Sequence, residues 1–227
     1  MRKIFDSSKD TLEHIITVGN YLDIIIEELR DYKKIELKDN INEMTVVDLL
    51  FLLLYGEEFP LNNKLLNNIY NNSIGYLYLD EEDENYIPQD MLFKKYLNEL
   101  LERKTNHDKT KLEYPEKQEF DKYNQKLKEL TYGSDEYNQN LYILRNALCH
   151  HYRYNRHHPE HFGNGIYGMT IMDVTEMICD WKASSERQKD GDIFKGIEKG
   201  SQRFNYDKKM IRVLSNTAQK YFINGDK

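Results

Sequence analysis

Seven histidines are spread very unevenly over the 227 residues. His14 and His107 stand apart, while His150, His151, His157, His158 and His161 crowd into one short run. A neutral imidazole offers a lone pair near neutral pH, so this concentration points first to a metal. His107 is followed directly by Asp108. An adjacent His and Asp at a helix end can both reach an ion placed over that end. The carboxylate has two oxygens and can bridge two ions, whereas the imidazole binds one. Neighbouring positions on a helix point about 100° apart, so His150 and His151 cannot easily serve the same ion. His151 continues the apolar face of Leu141, Leu144 and Leu148 and should point inward, where an imidazole needs a partner. Asp180 lies in mid-helix between Cys179 and Trp181, and a carboxylate buried there must be paired or metal-bound. It shares a helical face with Asp173, Glu176 and Met177. Asp173 has a second reason for its place, as the capping partner of Thr170. The competing readings are a polar helix end for His107-Asp108, a satisfied core histidine for His14, and loop polarity or adventitious metal binding for the run from 150 to 161.

The elements that must position these residues read as helices. Only four prolines and eleven glycines punctuate the chain, and long stretches keep a helical period. A first helix is expected from about Asp10 to Leu29, with His14, Val18, Leu22, Ile25 and Leu29 on its buried face. A second starts near Thr45 and ends at Gly56. The stretch from Pro60 to Gln89, with its paired asparagines and acidic run, reads as a surface insertion of little core value, with a short hairpin around Ile74 to Leu79. Further helices are expected over about Asp90 to Asp108, Glu116 to Leu130 and Ser134 to His151. A loop from Tyr152 to Met169 leads to a helix capped by Thr170, and a last helix covers roughly Tyr206 to Phe222. The expected architecture is a single, mainly α domain over residues 1–227, with 60–89 as the insertion.

Composition narrows the partners. The formal net charge is −7 and the sequence pI about 5.6, which argues against a generic duplex-nucleic-acid binder. A small anionic substrate stays compatible, because a few local cations or a bound metal can hold a phosphate. The longest apolar run, Val46 to Tyr55, contains Asp48 and is too short to cross a bilayer. The N-terminus turns polar at once, unlike a secretory leader. With two cysteines, Cys149 and Cys179, a reduced, cytoplasmic setting is expected.

The order His14, His107-Asp108, a histidine run, Asp180 resembles the HD-domain superfamily of metal-dependent phosphohydrolases. Three segments resemble, more closely, a bacterial and phage family defined only as a domain of unknown function: His107-Asp108-Lys109-Thr110-Lys111, the stretch His150-His151-Tyr152-Arg153-Tyr154-Asn155-Arg156-His157-His158-Pro159-Glu160-His161, and Glu176-Met177-Ile178-Cys179-Asp180-Trp181-Lys182-Ala183. The resemblance covers roughly residues 105 to 192, with His14 added. It implies an HD-like helical bundle holding one or two divalent ions, drawn from Mn, Fe, Co, Ni, Mg and Zn. His14, His107, Asp108 and Asp180 would hold the first ion. Asp108 would bridge to a second, bound by His151 and by His157 or His158. Water activated by the metal would attack a phosphoester in a nucleotide or nucleotide-derived signal. Lys111, Arg153, Arg156 and Lys182 would contact phosphate, Asp108 and Lys111 would act in catalysis, and Glu160 or Glu176 would relay protons. An HD-type di-iron oxygenase is a second expectation. A non-catalytic module that sequesters a nucleotide or a protein, as in phage anti-defence, is a third. Self-association into a homo-oligomer is compatible with all three.

Overall fold

A computed structural model describes residues 6–30, 42–55, 64–74, 89–128, 130, 134–188 and 190–224. Among the described residues there is no strand, and the architecture is a mainly α helical bundle. In chain order the helices are α1 (Ser8–Arg30), α2 (Val46–Tyr55), α3 (Lys64–Ile74), α4 (Gln89–Asn106), α5 (Glu116–Lys128), α6 (Asp135–Ile143), α7 (Arg145–Tyr154), α8 (Ile171–Glu186), α9 (Ile193–Phe204) and α10 (Lys208–Thr217). A 3-10 turn over Lys109–Leu112 follows α4, two more cover Pro159–His161 and Gly165–Gly168, and a π-turn over Ala218–Ile223 extends α10.

The middle of the bundle is α8. Every residue from 171 to 180 is buried, and the helix packs against α1, α2, α3, α4 and α9. Thr170 caps it in a reciprocal box with Asp173, as expected from the sequence. The α1 stripe His14, Val18, Leu22, Ile25 and Leu29 is buried and lies against α8. The charge inside the apolar α2 run has a local cause. Asp48 is buried, and its Oδ2 accepts from the Thr45 amide at 2.7 Å and the Thr45 hydroxyl at 2.6 Å, so it closes the start of the helix.

Three expectations need correction. Within the supposed insertion, residues 64–74 form α3, whose Leu65, Leu66 and Ile69 sit in the main core. Asn68, Asn71 and Asn72 occupy other positions around that helix and hide its period. The remainder of 60–89, including the expected hairpin, lies outside the described residues except Gln89, which opens α4. Second, the expected helix from Ser134 to His151 is broken at Leu144, which separates α6 from α7. Leu144 and Ala147 turn instead toward Phe120 of α5 in a small second core cluster. Third, α9 was not expected. Gly196 and Gly200 lower its intrinsic propensity, but Asp192 caps it through the amides of Phe194 and Lys195. Gly200 is required by packing: a Cβ there would come within 2.7 Å of the Trp181 ring and 2.8 Å of the Tyr206 hydroxyl.

Candidate metal centre

Five stretches of chain converge between α1, α4 and α8. His14 comes from α1, His107 and Asp108 from the end of α4, His151 from α7, His157 and His158 from the turn after α7, and Asp180 from α8. All seven residues expected as ligands are therefore brought together. They fall into two groups that share Asp108: His14, His107, Asp108 and Asp180, and Asp108, His151, His157 and His158.

Asp108 is fully buried and its backbone is left-handed, at φ 54° and ψ 13°. That conformation swings the carboxylate into the space between the groups. Its Oδ2 lies 3.6 Å from the Nε2 of both His14 and His107. Its Oδ1 lies 3.3 Å from His151 Nε2 and 3.5 Å from His157 Nε2. Asp180 Oδ1 accepts from His14 Nε2 at 2.8 Å and is 3.8 Å from His107 Nε2. His151 and His158 face each other Nε2 to Nε2 at 2.8 Å.

The donor set fits divalent ions. Ligand atoms bound to one ion at about 2.0–2.2 Å stand about 2.8–3.6 Å apart, from right-angled to tetrahedral arrangements. The spacings above fall in or just beyond that range. Most are too long for hydrogen bonds, and the orphaned atoms follow from this. His107 Nε2, Asp108 Oδ1 and His157 Nε2 are buried with no hydrogen-bond partner. Three such atoms aimed at one another would cost folding energy unless something binds them. Buried His and Asp groups here could hold a metal ion.

A layer of carboxylates orients the imidazoles. Glu176 Oε1 accepts from His107 Nδ1 at 2.8 Å and from His157 Nδ1 at 3.1 Å. Glu116 accepts from His151 Nδ1 at 2.9 Å and from His150 Nδ1 at 2.7 Å. With the Nδ1 positions donating outward, the Nε2 atoms of His107, His151 and His157 face Asp108. His107, His157 and Glu176 also lie close enough to form an ion site of their own. Glu176 is already satisfied by both histidines and by Arg103, whereas the two Nε2 atoms are not, so an orienting role fits it better.

Burial alone would push the Asp108 carboxyl up, but the Lys111 ammonium and then His107, His151 and His157 hold it well below the usual range. His14 does the same for Asp180 against the same burial. Burial pushes His14, His151 and His158 down, toward the neutral form that a ligand needs. His157 goes the other way: burial lowers it, but Glu176, Asp108 and Asp180 raise it to about 9.

Of the expected phosphate contacts, only Lys111 reaches the centre. Its Nζ donates to Asp108 Oδ2 at 2.5 Å, and Asp108 keeps the ammonium charged against the effect of burial. Arg153 is exposed on α7, near the Tyr154 ring. Arg156 is paired with Asp173 at 3.0 Å. Lys182 donates to Glu186 at 2.6 Å and lies over the Tyr21 ring. It is two residues beyond Asp180, about 200° around the helix, and so faces away. Glu160, expected as a proton relay, is paired with Arg203 of α9 instead. His150 and His161 stand outside both groups, His150 on Glu116 and His161 on the Tyr152 carbonyl. Two participants went unread in the sequence. Glu116 follows Pro115 in the first turn of α5, where an acid has an ordinary local explanation, and no local pattern sets Arg103 apart from other helical cations.

A cleft of about 990 Å³ runs between α4 and the turn around Tyr154 to His157. It meets the centre only at His157 and Glu176, and its floor includes Arg103, Asn155 and Arg156.

No curated protein and no solved structure matches the chain. A family model does, that of a family of unknown function, DUF5662, over residues 84–224. This stretch contains every residue of both groups except His14. Since it spans more than half of the sequence, the chain belongs to the DUF5662 family.

Proposed function

We propose that the protein is a metal-dependent phosphohydrolase of HD type, acting on a nucleotide or a nucleotide-derived signal. The observation that carries this reading is the Asp108 carboxylate, buried and presenting one oxygen to each of two imidazole groups. Divalent ions held there would acidify water into a nucleophile and neutralise charge developing on phosphoryl oxygens. The protein's own part is positional. Asp108 and Asp180 stay ionised and supply negative charge, while His14, His151 and His158 are held in the neutral form. Lys111 places a partly exposed ammonium beside Asp108, where it can meet a phosphoryl oxygen. The HD-like order of ligands and this lysine favour a phosphoester substrate.

A histidine-rich oxygen and nitrogen donor set also suits iron, which supports a di-iron oxygenase as the second reading. The test is metal analysis of the purified protein with turnover assays on a chromogenic aryl phosphodiester, nucleotides and cyclic nucleotides under Mn²⁺, Co²⁺, Ni²⁺ and Mg²⁺. The expected result is about two ions per chain and hydrolysis that Asp108→Asn abolishes together with metal. Lys111→Ala should keep the metal and lose turnover. Bound iron with oxygen consumption and no hydrolysis would favour the second reading. Failure to retain any divalent ion would sink both.

A further inference from the structure

We propose that Glu176 is a positioning residue shared by the two metal subsites and braced by Arg103, so that occupation of one subsite favours occupation of the other. This rests on the metal-centre reading above.

A single atom, Glu176 Oε1, accepts from His107 Nδ1 at 2.8 Å and from His157 Nδ1 at 3.1 Å. Those two histidines belong to different subsites. His107 Nε2 faces Asp108 Oδ2 at 3.6 Å, and His157 Nε2 faces Asp108 Oδ1 at 3.5 Å. Their rings lie 4.4 Å apart between centroids, so neither can turn without disturbing the other. One oxygen thus sets the tautomer and ring orientation of a ligand on each side. The other oxygen is fixed from behind, because Arg103 Nη1 donates to Glu176 Oε2 at 3.0 Å. The Arg103 guanidinium also donates to Glu99 and Asp173, each at 2.8 Å. The fork therefore ties α4 to α8 and holds the carboxylate in one plane.

Glu116 provides the internal contrast. It orients His151 of one subsite, but its second histidine, His150, belongs to neither. An ion on His107 would draw the shared oxygen tight and present His157 already oriented to the next ion. Such coupling is reciprocal, so the order of loading does not matter.

Glu176→Gln isolates the effect at constant shape. With its oxygen toward the histidines, the amide NH₂ confronts Arg103. Reversed, the NH₂ confronts both Nδ1–H groups. The experiment is calorimetric titration of metal-free protein with Mn²⁺ alone and with Zn²⁺ alone, with helicity checked by circular dichroism. Wild type should take up its ions cooperatively. Glu176→Gln should weaken both subsites by about 10–100-fold and abolish the cooperativity, whereas Glu116→Gln should weaken one subsite by a similar factor. Arg103→Lys keeps the charge and loses the fork, and should give a smaller loss at both. It carries the test if Glu176→Gln does not fold. Two tight, cooperative ions in wild type with Glu176→Gln or Arg103→Lys unchanged, or weakened at one subsite only, would overturn this inference and leave the metal centre standing. No ion uptake by wild type would overturn both.

Discussion

His157 has the most one-sided surroundings of the imidazoles. Glu176, Asp108 and Asp180 raise it to about 9 in spite of its burial. In the metal-free chain at pH 7 it therefore carries a proton that a metal must displace. Metal affinity should rise about tenfold per pH unit from pH 7 and level off near pH 9, read as dissociation constants at several pH values. A flat profile between pH 7 and pH 9 would show that no such proton is displaced from His157. The same shift has the opposite sign for the metal-free fold. A group raised from 6.5 to about 9 contributes about 3 kcal/mol that is complete below pH 6.5 and lost by about pH 9. The stability gap between wild type and His157→Gln should shrink across that window. The residues of the two groups were legible at this scale, since their types and spacing point to a cluster that could hold a metal ion. Their orienting acids were less so. Glu116 is fully buried because α5 and α7 meet over it, and nothing local in the sequence says that they meet. The pairing of Lys182 with Glu186 could have been read, as it sits at ordinary helical spacing.

Among the elements, α1 followed from periodicity, because it buries a continuous stripe, and the start of α8 followed from the capping pair Thr170 and Asp173. α3 did not, since its apolar residues are interleaved with asparagines. Leu66 is 1% exposed in the main core, so Leu66→Ala should cost about 2–5 kcal/mol, measured by chemical denaturation of the metal-free protein. A cost under about 0.5 kcal/mol, the usual range for surface positions, would return this stretch to the surface. The break at Leu144 separates α6 from α7 and leaves Leu144, Ala147 and His151 on one face of α7, where Leu144 and Ala147 pack on Phe120 of α5 while His151 reaches Glu116 and Asp108.

For the molecule as a whole, the two groups that could hold an ion join residues as far apart as His14 and Asp180. Ions bound there would stabilise the folded chain by mass action, by about 4 kcal/mol at a thousandfold excess over the dissociation constant. Thermal unfolding with a chelator and with Mn²⁺ should differ accordingly, and His14→Ala should reduce the gap. Equal melting temperatures in the two conditions would speak against a built ion site. Among the described residues no helix is long and apolar enough to cross a membrane.

The left-handed backbone at Asp108, with φ 54°, bears on how this lineage can change. Aspartate and asparagine are the side chains other than glycine that enter such a conformation at little cost. The two are one nucleotide apart in the genetic code. A descendant can therefore discard this buried charge in a single mutational step while its backbone stays as inherited. Most other replacements would disturb the chain geometry at the same stroke. Loss of the carboxylate and loss of the scaffold are separable events at this codon, and a gene copy could keep the bundle for another use after the charge is gone.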